Sequence, residues 1–169
     1  MDDIIYADNS ATTRICDEAF KVLSDVSRES YGNPSSLYSI GRNAKRIIED
    51  ARKRIAGLIG AAPEEIIFNS GGSEYDDLAI MGVAERYASK GKHIITTAIE
   101  HHAVIDTVKK LEKQGFDVTY LKCDRNGLVS PDDVKAAIRD DTVLISVMMA
   151  NNEVGTIEPV DQIRSIAKE

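Results

Sequence analysis

Two cysteines are all that the sequence holds, and what they exclude is clear. Cys16 and Cys123 stand far apart, outside any CxxC or metal-ligand spacing. Neither a disulfide framework nor a zinc site is therefore expected, and a reduced, cytoplasmic thiol pair is the simpler reading. Basic residues are in deficit: 21 Lys and Arg against 28 Asp and Glu leave a formal net charge of -7. Nucleic acid and anionic membranes are held mainly by Lys and Arg, so neither is expected as a partner, and an anionic ligand would need local donors. No window approaches the ~20 apolar residues of a membrane span, and Met1-Asp2-Asp3-Ile4 has no basic n-region or apolar h-region. GxGxxG and GxxxxGK(S/T) are both missing, which weakens nicotinamide and nucleoside-triphosphate readings. No internal repeat or low-complexity tract occurs. What is left, at 169 residues and 43% hydrophobic, is a soluble, cytoplasmic chain able to bury one ordinary core.

The apolar pattern predicts the elements. A short strand-like run at Ile4-Ile5-Tyr6 precedes a small and polar loop, residues 7–13, whose Asp, Asn, Ser and Thr can bond their own backbone. Phe20, Leu23 and Val26 fall at helical spacing within 17–29, with Asp17 as candidate cap. After the loop 31–36, Ile47, Ile48, Ala51, Ile55 and Leu58 form one stripe of a helix over 40–59, closed by Gly60 and Pro63. From Glu65 the pattern alternates: strands at 66–68, 93–97, 117–122 and 142–149, helices at 73–89, 102–114, 130–138 and 160–168. Such alternation predicts an α/β fold with a mainly parallel sheet and helices on both faces.

In an open sheet of this kind ligands bind beyond the carboxyl ends of the strands. Three such ends are distinctive: Gly71-Gly72-Ser73 after the first strand of the alternating part, Glu100-His101-His102 after the second, and Asn151-Asn152-Glu153 after the last. The glycines and the helix start offer backbone donors for a phosphate. An imidazole to stack on a ring and a carboxamide to bond a ring substituent complete a set suited to a phosphorylated aromatic cofactor. Each feature alone has a plainer reading, as a Gly-Gly turn with a Ser cap, a surface His, or a turn built on tandem Asn.

Five ordered motifs carry a resemblance. They are Asp8-Asn9-Ser10-Ala11-Thr12-Thr13, Gly32-Asn33-Pro34-Ser35-Ser36, Phe68-Asn69-Ser70-Gly71-Gly72-Ser73-Glu74, Glu100-His101-His102-Ala103-Val104 and Asn151-Asn152-Glu153-Val154-Gly155-Thr156. At these spacings the chain resembles the amino-terminal part of the cysteine desulfurases, pyridoxal-phosphate enzymes of the class V aminotransferase group with fold-type-I architecture. The resemblance implies that residues 1–169 are the amino-terminal half of the large domain, with 1–30 packing on the small domain or a dimer partner of the complete enzyme. It places Gly72 and Ser73 at the phosphate of pyridoxal 5'-phosphate. His101 would stack on the pyridine ring and act in catalysis, and Asn152 would lie near the ring hydroxyl and the substrate. Asn9, Ala11 and Thr12 would line the substrate side.

The resemblance also shows what is not here. Family members are more than twice this long. Their Asp that pairs the pyridine nitrogen, their Ser-x-His-Lys stretch with the Schiff-base lysine, and their sulfur-accepting Cys have no counterpart in these residues. Tyr38, Tyr75, Asp77 and Arg14 also depart from the usual motif residues, and Asp77 puts an extra carboxylate near the phosphate-binding helix start. The implied activity is removal of sulfur from L-cysteine, giving alanine, for iron-sulfur cluster or thio-cofactor assembly. It would require a carboxy-terminal half or a complete homologous subunit in a homo- or hetero-oligomer, and a sulfur-acceptor protein. A non-catalytic binding or assembly module derived from the family is the alternative. Electron-sink catalysis, which needs both the lysine and the ring-nitrogen partner, separates the two.

Overall fold

The computed structural model describes residues 5–168, and the chain forms two compact units, one reaching to Phe68 and one beginning at Asn69. The first unit holds α1 (Asp17–Glu29), α2 (Ser39–Ile59) and a 3-10 turn at Pro63–Glu65. The span of α1 is the predicted one, but its N-cap is Cys16, with Asp17 at the first helical position. Asp17 and Glu18 there, with Arg28 in the last turn, complement the helix dipole. No residue of α1 is buried, and Phe20 and Leu23 lie open. Gly60, at φ 69, ends α2 in the left-handed conformation that glycine adopts without strain. Of the predicted α2 stripe, Ile47, Ile48 and Ala51 are half-buried, while Ile55 and Leu58 are exposed, Leu58 by 86%.

Two predicted strands are absent. Ile5 and Tyr6 join no ladder and are exposed, while Ile4 lies outside the described residues. Residues 66–68 also belong to no sheet. Here β propensity is a misleading guide, because a strand exists only with a ladder partner, and none lies beside this segment among the described residues. Instead Arg52 donates to the Ile66 carbonyl and sets its guanidinium 4.9 Å from the centroid of the Phe68 ring.

The second unit is the parallel sandwich. Its elements are α3 (Gly72–Tyr87), β1 (His93–Thr97), α4 (His102–Lys113), β2 (Asp117–Leu121), α5 (Pro131–Ala137), β3 (Thr142–Ile145) and α6 (Val160–Ile166). The strand order is β2-β1-β3, both pairings parallel, with a register slip between His93 and Ile94. All five residues of β1 are buried, so it reads as the central strand of a doubly covered sheet. Ile94 faces one core with Ile80 and Ala84 of α3 and Val104, Val108 and Leu111 of α4. Ile95 faces the other, with Leu121, Val129, Val134 and Ile163. Successive side chains on a strand point to opposite faces, so the Ile-Ile pair serves both.

The predicted strand 142–149 is shorter, with β3 ending at Ile145 and its last ladder bond running from Ser146 N to the Ile95 carbonyl; beyond it a side chain is the partner, as the Met148 amide donates to Glu100 Oε1 at 2.7 Å. Pro131 opens α5 behind Ser130, whose hydroxyl accepts from Asp133 N. At the amino end of the sheet, His93 is wholly buried, its Nδ1 2.7 Å from Thr142 Oγ1 and its Nε2 2.8 Å from Thr119 Oγ1. Gly91 lies nearby, so close to the chain entering β3 that a Cβ there would overlap the Asp141 carbonyl oxygen.

Candidate functional site

Helices α3 and α4 begin side by side. Asp77 lies five residues after Gly72 and Thr107 five after His102, and the Thr107 hydroxyl donates to Asp77 Oδ1 at 2.7 Å. A second contact, Lys110 Nζ to Met81 Sδ at 3.4 Å, keeps the same order along both helices. The two helices therefore run in the same direction with their starts level, and both positive dipole ends point to one side of the unit. The same bond gives the Asp77 carboxylate a partner in α4, the Thr107 hydroxyl.

At the start of α3, Gly71 and Gly72 have open space where a Cβ would stand, and Ser73 is exposed with no partner for its hydroxyl among the described residues. The predicted strand before this turn is missing, so the Gly71-Gly72-Ser73 turn does not follow a sheet strand. It is shaped by local bonds: Gly71 N donates to Asn69 Oδ1 at 3.0 Å, and Ser70 N and Oγ both donate to Glu74 Oε2. Those bonds from Ser70 hold the Glu74 carboxyl below the usual carboxylate range and draw its charge back toward Ser70. Gly72 N and Ser73 N bond no acceptor among the described residues and suit a phosphate.

At the start of α4, His101 is the N-cap. Its Nδ1 accepts from Ala103 N at 3.1 Å, so Nδ1 carries no proton and the neutral ring holds its hydrogen on Nε2. His102 stands edge-on, with ring centroids 5.9 Å apart. Residues 99–102 and 151–154 line a cleft of about 290 Å³. The structure thus brings together His101 and Asn152, two of the predicted residues. Gly72 and Ser73 open α3 and do not line this cleft. Asn9, Ala11 and Thr12 belong to the first unit, in an exposed turn where Ala11 N and Thr12 N donate to the Asp8 carbonyl at 3.3 and 3.5 Å.

Two residues escape the sequence reading. Of the tandem pair, Asn152 is exposed and Asn151 is buried, with an amide that bonds at both ends. Glu100, half-buried, accepts from Thr97 Oγ1 and Met148 N. Burial pushes its carboxyl up, those two bonds oppose the shift, and the charges of Asp76 and Glu158 add to it. Glu158, itself buried, anchors the same loop by accepting from Val129 N at 2.9 Å. The spacing of an Asn-Asn pair carries no sign of which member turns inward; the inward one, Asn151, satisfies backbone groups of both loops.

The donor set fits pyridoxal phosphate: a helix start with free backbone donors and open space for an anion, level with a second helix start that carries a fixed imidazole and faces a carboxamide loop. Among the described residues no cluster suits a metal ion, and no helix is long and apolar enough to cross a membrane.

Comparison with known proteins is consistent with this fit. The profile of the family described as aminotransferase class-V matches residues 5–169. The cysteine desulfurase IscS of Methanosarcina thermophila is 54% identical over 165 residues, 98% of this chain and 41% of that protein. The putative cysteine desulfurase IscS 1 of Bacillus subtilis is 51% identical, over 98% of this chain and 44% of that protein. Among solved structures, a NifS-like protein superposes with a TM-score of 0.92 at 41% identity, covering 95% of this chain and 44% of its own. SspA in complex with cysteine gives a TM-score of 0.92 at 39% identity, covering 96% and 47%. The chain spans less than half the length of these relatives. Class-V aminotransferases and cysteine desulfurases depend on pyridoxal phosphate. A family match running from residue 5 to 169, on an α/β unit whose two helix starts and cleft suit that cofactor, means that this chain belongs to the class-V aminotransferase family.

Proposed function

We propose that this chain is the cofactor-cradle portion of a cysteine desulfurase, which takes sulfur from L-cysteine and leaves alanine for iron-sulfur cluster or thio-cofactor assembly. The observation that carries the reading is the pair of level helix starts, one with free donors at Gly72 and Ser73 and the other capped by His101 beside Asn152. Support comes from the desulfurase relatives and from the similar fold solved with cysteine. Pyridoxal phosphate, when bound, supplies an electron sink. The residues of the chain bind and orient it: Gly72 N–H and Ser73 hold the phosphate, His101 stacks on the ring with Nε2 available to carry a proton, and Asn152 donates to the ring oxygen. Asn9, Ala11 and Thr12 belong to the substrate side of the complete enzyme.

In this reading the remaining length of the enzyme supplies the lysine and the sulfur-accepting cysteine, either from a carboxy-terminal half or from a homologous subunit in a cytoplasmic homo- or hetero-oligomer. The chain alone then has no desulfurase activity. Residues 1–30 pack on the small domain or the dimer partner, which agrees with an α1 that buries none of its residues. The open side of β3, whose ladder partner among the described residues is β1, is lined by Val143, Leu144 and Ile145 together with Ile138 and Ile166 of neighbouring segments, an apolar edge suited to that missing length.

The test is titration of the purified chain with pyridoxal phosphate, followed by absorbance, for the wild type and for Ser73→Ala with Gly72→Val. The substitution at Gly72 meets no protein atoms, since its Cβ position is open. Each lost bond to the phosphate is worth about 1.5–3 kcal/mol, so a clear loss of affinity is expected. Unchanged affinity would sink the cradle assignment, and cysteine-dependent sulfide release by the isolated chain, abolished in His101→Ala, would refute its dependence on a second half.

A further inference from the structure

The backbone ladder between β1 and β3 ends where Ser146 N donates to the Ile95 carbonyl, at 2.9 Å. The residues assigned to the cofactor lie further on, His101 at the end of one strand's loop and Asn152 at the end of the other's. Across that interval the connection passes to side chains. Glu100 Oε1 accepts the Met148 amide at 2.7 Å and the Thr97 hydroxyl at 3.0 Å. Asn151 Nδ2 donates to the Ile99 carbonyl at 3.0 Å and also reaches Met148 Sδ at 3.4 Å.

Asn151 is bonded just as fully on its own side. Its Oδ1 accepts Glu153 N and Val154 N, each at 2.9 Å, while its backbone N donates to the Thr156 carbonyl and its carbonyl accepts Gly155 N. One amide thus closes the 151–156 turn with its oxygen and ties that turn to the 98–101 loop with its nitrogen. The residue after Ile99 is the other member of the tie, and the residue after that is the N-cap imidazole.

We propose that Asn151 and Glu100 are positioning residues: together they clamp the loop bearing His101 to the loop bearing Asn152, and so set the imidazole and the carboxamide in one register for the cofactor ring. This rests on the reading of the cleft as a pyridoxal-phosphate site; the clamp itself is a property of the chain alone. The chemistry restricts what can replace each residue. Asn151 needs a donor and an acceptor at once. An Asp keeps the two bonds to Glu153 N and Val154 N but puts a carboxylate oxygen where Nδ2 met the Ile99 carbonyl, turning attraction into repulsion. Glu100 uses one oxygen as an acceptor, so Gln fulfils the role and Ala does not.

The experiment uses the full chain labelled at the histidine ring nitrogens, with two readouts. The first is the His101 ring spectrum, which reports whether the hydrogen stays on Nε2. The second is pyridoxal-phosphate affinity by absorbance titration. Val134→Ala serves as control, since Val134 is buried in the core away from α4 and its truncation costs stability without touching either loop. Asn151→Asp and Glu100→Ala are expected to shift His101 toward averaged tautomers and to weaken cofactor binding about tenfold or more, as misplacement of a binding group does. Glu100→Gln should stay near the wild type in both, and Val134→Ala should lose stability while keeping both.

If Asn151→Asp and Glu100→Ala match Val134→Ala in ring spectrum and affinity, the clamp is only structural and the proposal is overturned. If Ser73→Ala and His101→Ala bind the cofactor as well as wild type, the cofactor reading fails instead, and the ring spectra alone decide the clamp. Should Asn151→Asp not fold, the contrast between Glu100→Ala and Glu100→Gln decides it: a loss in the first that the second restores supports the clamp, and equal behaviour of the two overturns it.

Discussion

His93 should make the stability of the chain fall as pH drops from 7 to 5. Its ring is fully buried between β2 and β3, with one nitrogen on Thr119 and the other on Thr142. A hydroxyl can donate or accept, so protonating the ring does not by itself break either bond. The cost is the charge placed in the interior, and burial, with Arg139 adding repulsion against the partial relief from Asp141 and Asp117, pushes the His93 pKa down from 6.5. With a folded pKa below the unfolded one, the unfolded chain binds more protons just under pH 6.5, and stability is present above that pH and lost below it. The limiting slope is one proton, about 1.4 kcal/mol per pH unit. At a urea m-value of about 2 kcal/mol/M, the midpoint falls by at most about 0.7 M per unit. Glu100, with its raised pKa, contributes in the opposite direction as pH falls, so the informative quantity is the difference between wild type and His93→Gln. Urea unfolding followed by far-ultraviolet circular dichroism at pH 7, 6 and 5 measures it. Midpoints that fall in parallel in the two proteins would refute the argument, since the buried imidazole would then carry no pH dependence.

Two further outcomes follow from particular contacts. Asp77→Asn should cost no more than about 1 kcal/mol in urea unfolding, because an amide oxygen still accepts the Thr107 hydroxyl, though more weakly than the carboxylate, and should raise pyridoxal-phosphate affinity by removing a like charge near the phosphate; unchanged or lower affinity would show that this charge does not reach the phosphate. Val143→Lys with Ile145→Lys, placed on the half-buried open edge of β3, should reduce self-association of the chain in light scattering at micromolar concentration, as charged edges do, and an unchanged particle size would remove β3 as the associating edge.

The helices and the three paired strands are legible in the sequence because their apolar periods are strong: α1 spans the predicted residues, and β1, with both Ile94 and Ile95 buried, matches its run. Ile66-Ile67-Phe68 has an equally good strand composition and forms none, since composition records how a segment would fit a pleated surface and says nothing about who lies beside it. The carboxyl end of β3 is overestimated for a related reason: Val147 and Met148 remain extended in pattern, but the Glu100 carboxylate intercepts the Met148 amide. In the site, the helix starts are readable from Gly71-Gly72-Ser73 and Glu100-His101-His102. The capping bond that fixes the His101 tautomer is a matter of local backbone angles, and the inward turn of Asn151 depends on a carbonyl far away in sequence. The bond between Asp77 and Thr107 joins residues thirty apart and has no local signal either.

Gly91 gives the base of the sheet an unusual stiffness. With the Asp141 carbonyl oxygen occupying the space where a Cβ would stand, and His93 N bonded to that same oxygen at 3.0 Å, the entrances to β1 and β3 are in contact with no side chain between them. A carbon atom added there, even the methyl group of an alanine, would have to push the Asp141 carbonyl aside and break the bond from His93 N, so the joint at which both strands enter the sheet tolerates no side chain at residue 91.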